Sequence, residues 1–155
     1  MSAHNVLIVD NDALISKLIS EQLFGLEDFR PKVIPCSKDV LSSIKASHFD
    51  IIILNDLSPF FKRQEICQLF RNNGILVPIV ILIDTDTHVG DMANPDDRSV
   101  LYLSKPFRIS ELIILLRSQI RWHEASENGE IKIGRFIFQP ANKVLLNLDE
   151  NRKIQ

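Results

Sequence analysis

The chain has 155 residues and a formal net charge of -2, with 45% hydrophobic and 25% charged residues. That size and balance fit one soluble globular domain, or one domain plus a fragment, and leave no basic footprint for nucleic acid or an anionic membrane surface. No apolar run approaches the roughly 18 residues that span a bilayer, and the opening MSAHNVLIVD lacks the basic-then-apolar pattern of a signal peptide, so a cytoplasmic protein without membrane contact is expected.

Val6-Leu7-Ile8-Val9, bounded by Asp10-Asn11-Asp12, is evenly apolar, as a central strand covered on both faces must be. From Ala13 to Phe24, Leu14, Ile15, Leu18, Ile19 and Leu23 recur at helical spacing, with Asp12 placed to cap the helix. Val33-Ile34-Pro35-Cys36 reads as a second strand, put at an edge by its proline. Ser37 opens a helix to about Ala46, and Ile51 to Leu54 is a third strand. A loop over Asp56 to Phe61 leads into a helix from Gln64 to Asn72, closed by Asn73-Gly74, and Pro78 to Ile83 is a fourth strand. Gly90, Asn94 and Pro95 then stand where a helix belongs. An interior proline costs about 3 kcal/mol, so any helix there is short or absent. Val100 to Leu103 is a fifth strand and Ile109 to Trp122 a strong helix. Repeated β-α units with short links predict an α/β, doubly wound, five-stranded parallel sheet with ligands at the carboxyl ends of its strands.

His123 to Glu130 (HEASENGE) is polar and reads as a linker. Ile131-Lys132-Ile133, Phe136-Ile137-Phe138 and Val144-Leu145-Leu146 look like short antiparallel strands. About 25 residues cannot bury a core alone, so 131–155 is expected to open a second domain after one spanning 1–122 and a linker at 123–130. Cys36 and Cys67 sit in apolar segments without metal-ligand spacing, as core thiols of a reducing compartment do.

VLIVDND at the first strand, FDIIILNDLSP at the third, PIVILI at the fourth and YLSKPF at the fifth carry a family resemblance. From Val6 to about Trp122 the chain resembles the receiver domain of two-component response regulators, which implies a flavodoxin-like (CheY-like) fold. The tail from Ile131 is similar to the opening β-sheet of the winged-helix effector domain in OmpR/PhoB regulators. A receiver accepts a phosphoryl group on an aspartate, with Mg²⁺ bridging protein and phosphate oxygens and a lysine and a hydroxyl holding the phosphoryl. Carried over by motif, those positions are Asp10, Asn11, Asn55, Ile83 and Lys105. Asn55, at the acceptor position, has an amide that cannot replace the nucleophile. Asn11 supplies no second carboxylate, and Ile83 donates no hydrogen bond. Only Asp10 and Lys105 keep the family's chemistry, so the pocket reads as vestigial, with no cofactor, no catalysis and little phosphorylation even in Asn55→Asp.

Asp12 and Asp56 each lie one position past a lost carboxylate. Alternation along a strand aims Asp56 away from the pocket unless the strand ends early, and Asp12 is better placed as a cap. A weak divalent-ion site drawing on Asp10, Asp12 or Asp56 is the remaining metal candidate. Asp10 and Lys105 are expected to pair as a salt bridge, and the resemblance implies a cis Lys105-Pro106 bond. Tyr102 matches the family's aromatic switch position, and Ile83 in place of the hydroxyl predicts a fixed rotamer.

Relatives dimerise through their fourth helix, fifth strand and fifth helix using charged pairs. Here Val100 and Leu101 replace acidic residues, Leu115 replaces an arginine after Glu111, and Leu112 to Leu116 is wholly apolar. A helix needs an apolar stripe, not a full turn, so Val100, Leu101, Glu111, Leu112 and Leu115 are expected to form a phosphate-independent homodimer face, the alternative being that the extra apolar residues of the helix pack under a rearranged 84–99 segment. The functional expectation is a phosphorylation-independent transcription regulator that dimerises through the receiver and contacts DNA through a C-terminal domain beyond Gln155. The alternative is a protein-interaction module without DNA output. The family's usual histidine kinase partner is not specified by these residues.

Overall fold

The computed structural model describes residues 3–84 and 97–127, together with the backbone of 136–139 and 144–147. Five strands, β1 (His4–Val9), β2 (Phe29–Ile34), β3 (Ile51–Leu54), β4 (Ile79–Ile83) and β5 (Val100–Ser104), form a parallel sheet in the order β2-β1-β3-β4-β5. Helices α1 (Ala13–Phe24), α2 (Val40–Lys45), α3 (Arg63–Asn72) and α4 (Ile109–Glu127) connect and cover it. An antiparallel pair, β6 (Phe136–Gln139) and β7 (Val144–Asn147), lies in the tail.

The evenly apolar strands form two cores because successive side chains leave opposite faces of the sheet. Leu7, Val9, Ile52, Leu54, Ile79 and Ile81 pack with Ile66 and Phe70 of α3 on one face. Val6, Ile8, Ile51, Ile53, Val80 and Leu82 pack on the other with Ile19 and Leu23 of α1 and Leu112, Leu115, Leu116 and Ile120 of α4. Asp12 caps α1 as expected, its carboxylate accepting from the N–H groups of Leu14 at 3.1 Å and Ile15 at 3.3 Å. Gly74, at φ 80°, supplies the left-handed residue that turns the chain after α3. Burial pushes the Cys36 thiol up to about 11 and the Cys67 thiol up to about 12, so neither is a thiolate at neutral pH, in keeping with structural core cysteines.

Three elements, the second strand, α2 and α4, differ from the sequence expectation by three residues or more at one end. The second strand ends at Ile34, so Pro35 lies past it and Pro31 lies within it. Its position is set by pairing with β1, from His4↔Phe29 to Val9↔Ile34, while Arg30, Lys32 and Val33 are exposed. The edge position itself is as expected. α2 starts at Val40 rather than Ser37, because the Val40 N–H closes a turn on the Ser37 carbonyl first. α4 runs on to Glu127, taking in residues expected to begin the linker; no glycine or proline interrupts it before Asn128-Gly129, and Glu124 is held by His4 at 3.1 Å. The expected short or absent helix after β4 and the strand at 131–133 lie outside the described residues.

Arg71, at the end of α3, ties that helix to the amino ends of β4 and β5. Its Nε donates to Asp97 at 2.7 Å, one terminal nitrogen to the carbonyls of Ile75 and Val77 at 2.8 Å, and the other to Ser99 Oγ at 2.6 Å. Burial raises the Asp97 carboxyl, but the hydrogen bonds from Arg71 and Ser99 outweigh it and hold the group below the usual carboxylate range.

Candidate functional site

The carboxyl ends of the strands deliver Asp10 after β1, Asn55 after β3, Asp84 after β4 and Lys105 after β5 to one end of the sheet. A cavity of about 450 Å³ opens there, lined by Asp12, Asn55, Asp56, Lys62, Asp84 and Lys105 against an apolar wall of Leu57, Phe61 and Leu82.

Asp10 lies beneath this cavity, only 4% exposed. Its Oδ1 accepts from the backbone N–H of Asp12 at 2.8 Å, that of Asp56 at 3.1 Å and Asn55 Nδ2 at 3.2 Å, and its Oδ2 accepts from Asn55 Nδ2 at 3.0 Å. Burial pushes the Asp10 carboxyl up, and these hydrogen bonds offset that only in part. The Asn55 amide thus satisfies a buried carboxylate with neutral donors. Its own Oδ1 is buried without a hydrogen-bond partner.

Asn11 does not join this cluster. Its Nδ2 donates to the carbonyls of Cys36 at 3.1 Å and Ser58 at 2.9 Å, and its Oδ1 accepts from the Cys36 N–H at 2.9 Å. It brackets three loops together, a use that an aspartate, lacking donors, could not reproduce. Ile83 packs into the core with Ile79 and Ile81, in keeping with its apolar side chain.

The expected Asp10–Lys105 salt bridge does not form. Lys105 instead stands 3.8 Å from Asp84. The reason is topological: β3 and β4 separate β1 from β5, whereas β4 and β5 are neighbours. Asp84, the first residue past β4, was legible as a partner only from the strand order. Asp56 also departs from expectation, because it lines the cavity. β3 ends at Leu54, so strand alternation no longer governs it. Its Oδ1 accepts from Ser58 N at 3.1 Å and Ser58 Oγ at 2.5 Å. Asp10, Asp12 and Asp56 are therefore each engaged separately, and among the described residues no group of three or more His, Cys, Asp or Glu comes together as a metal site. The Lys105-Pro106 bond is cis, as is Ser58-Pro59, which the sequence reading did not single out. Tyr102 is half-buried against the core, in register with Ile81.

Four of the five side chains expected at the dimer face are buried within the chain itself. Leu112 is 0% and Leu115 1% exposed, and Val100 and Leu101 are buried as well. Leu112, Leu115, Leu116, Gln119 and Ile120 form the inward stripe of α4, so the apolar run serves the monomer's own core. Glu111 accepts from the Arg108 N–H at 2.9 Å at the start of the helix. Of the run, Ile114 is left outside, 56% exposed.

No family model matches the chain. It is 30% identical over 144 residues to the DNA-binding response regulator MtrA of Mycolicibacterium smegmatis, covering 90% of this chain and 60% of that protein. It is 24% identical over 131 residues to the response regulator MprA of Mycobacterium bovis, covering 84% of this chain and 56% of the relative. The chain thus spans about 60% of the length of these relatives. Its fold matches the receiver domain of a Francisella response regulator, with TM-score 0.63 and 23% identity over 77% of this chain and 98% of that one. It also matches a signal receiver domain of an HD-domain-containing protein from Pseudomonas fluorescens, with TM-score 0.67 and 20% identity over 83% and 94%. No helix among the described residues is long and apolar enough to cross a membrane.

Proposed function

Since the homologues are OmpR-family response regulators and the sheet is that of a CheY-like receiver, we propose that this chain is the receiver part of a transcription regulator that works without phosphorylation. The observation that carries the proposal is the contact between Asn55 Nδ2 and both oxygens of Asp10. A phosphoacceptor at this place must be a nucleophilic carboxylate, and the metal that assists it needs free carboxylate oxygens. Here the first is an amide, and both oxygens of the second already accept from it. Were Mg²⁺ to bind, Asp10 and Asp56 would be its carboxylate ligands; it would neutralise charge on the phosphoryl oxygens, but only after the Asn55–Asp10 and Ser58–Asp56 hydrogen bonds had been given up.

DNA contact is assigned to an effector domain that 131–155 would open. The receiver itself, part of a sequence of net charge -2, is not expected to shift a DNA fragment. The apolar side chains expected to build a constitutive dimer face, Val100, Leu101, Leu112 and Leu115, lie inside the monomer.

The test is intact mass after incubation with acetyl phosphate and Mg²⁺. No phosphoryl adduct is expected, in the wild type or in Asp56→Asn. A stable adduct lost in Asp56→Asn would instead identify Asp56, which lines the cavity, as the acceptor and overturn the proposal.

A further inference from the structure

Two asparagines in the described chain precede an aspartate, Asn11-Asp12 and Asn55-Asp56. Loss of ammonia from such a pair needs two nitrogens served at once. The backbone nitrogen of the following residue must give up its proton to attack the side-chain carbonyl carbon, and the amide nitrogen must gain a proton to leave. At Asn55 one buried carboxylate touches both. Asp10 accepts from the Asp56 N–H at 3.1 Å and from Asn55 Nδ2 at 3.2 and 3.0 Å. At Asn11 the same carboxylate reaches the Asp12 N–H at 2.8 Å, but the amide nitrogen is spent on the carbonyls of Cys36 and Ser58.

We propose that Asn55 is a self-modification site, deamidated within the folded chain by Asp10 acting as the proton carrier. Asp10 takes the proton from the Asp56 nitrogen as the bond from that nitrogen to Asn55 Cγ forms. It then delivers the proton to Nδ2 as the Cγ–Nδ2 bond breaks, and ammonia leaves. The product is a cyclic imide between Asn55 and Asp56. One water opens it to aspartate or isoaspartate, so the sum is amide plus water giving acid plus ammonia, with no oxidant, reductant or other reagent. The hydrogen bonds fix the Asp10 carboxylate against both reacting groups, as a general base must be placed. The consequence follows from the proposed function and rests on it: conversion replaces the donor that satisfies Asp10 with a second negative charge, so the pocket opens slowly and irreversibly, as a clock rather than a switch. The rates below need no phosphodonor, so a failure here is distinct from a failure of the phosphorylation-independent reading.

The experiment incubates the full chain at neutral pH and follows each asparagine by peptide mapping and mass spectrometry, with isoaspartate detection. Asn55 in the folded wild type is expected to convert roughly 100-fold faster than in the same chain held in denaturant, at the lower end of what a positioned general base contributes. Asp10→Asn, which keeps the shape and an acceptor oxygen but cannot carry the proton, should remove that excess. Asn11 serves as the internal reference and should show no such acceleration on folding. An Asn55 rate no faster in the folded than in the denatured chain would overturn the proposal, as would an unchanged rate in a folded Asp10→Asn. Should Asp10→Asn fail to fold, the folded-against-denatured comparison in the wild type decides alone.

Discussion

At the level of single residues, the pocket is organised around the cost of burying Asp10. A buried carboxylate needs either a cation or a full set of donors, and Asn55 completes the donor set. Asn55→Asp therefore disturbs that set. It sets a carboxylate against one that is 4% exposed and removes two of its contacts. We expect a loss of about 1–3 kcal/mol at neutral pH, read from the midpoint of urea unfolding; an unchanged or raised midpoint would contradict this account of Asp10. The loss should shrink as pH falls into the carboxylate range, where one of the pair takes up a proton. Asn55 and Asp10 were legible in the sequence because motif spacing places them. The uses of Asn11 and Asp84 were not, since each depends on which loop or strand lies next to it in space. Asp56 was misjudged because strand alternation was carried past Leu54, where the third strand was expected to end and does end.

At the level of elements, α4 and the Arg71 cluster make separate predictions. The five consecutive apolar residues from Leu112 looked excessive for one helix face. Burial assigns Leu112, Leu115 and Leu116 to the core and leaves Ile114 outside. Leu115→Arg should therefore unfold the chain, costing about 3–5 kcal/mol for an unpaired buried charge, and not merely dissociate a dimer. Ile114→Arg should stay within about 0.5 kcal/mol of the wild type. Thermal melts of the two variants check this, and a stable, well-folded Leu115→Arg would restore the dimer reading. Arg71 joins α3 to the starts of β4 and β5. Because its folded carboxyl is held below the usual range, Asp97 adds stability that is present above its unfolded value of about 3.9. That stability fades as pH falls through the lower folded value. Arg71→Met should flatten this part of the acid-unfolding curve as well as lower stability at neutral pH, and an acid limb that keeps its wild-type slope would show that the Asp97 shift has another source.

For the molecule as a whole, the architecture could be read from alternation. Strands apolar on both faces require helices on both sides, and two cores built from alternate residues of the same strands are what the structure contains. What could not be read was whatever depends on pairing: the start of β2, fixed by β1, and the partner of Lys105, fixed by strand order. The end of α4 was missed for a different reason, since a polar run without a helix breaker is compatible with helix as well as linker. The five-stranded frame thus carries a pocket whose buried carboxylate is met by neutral donors. The most direct measurement of that claim is a Mg²⁺ titration of freshly prepared, unmodified chain followed by the backbone amide resonances of Asp12, Asn55 and Asp56. The account predicts no saturable, site-specific shift, because Asp10 is already satisfied; a saturable shift centred on these three amides would contradict it.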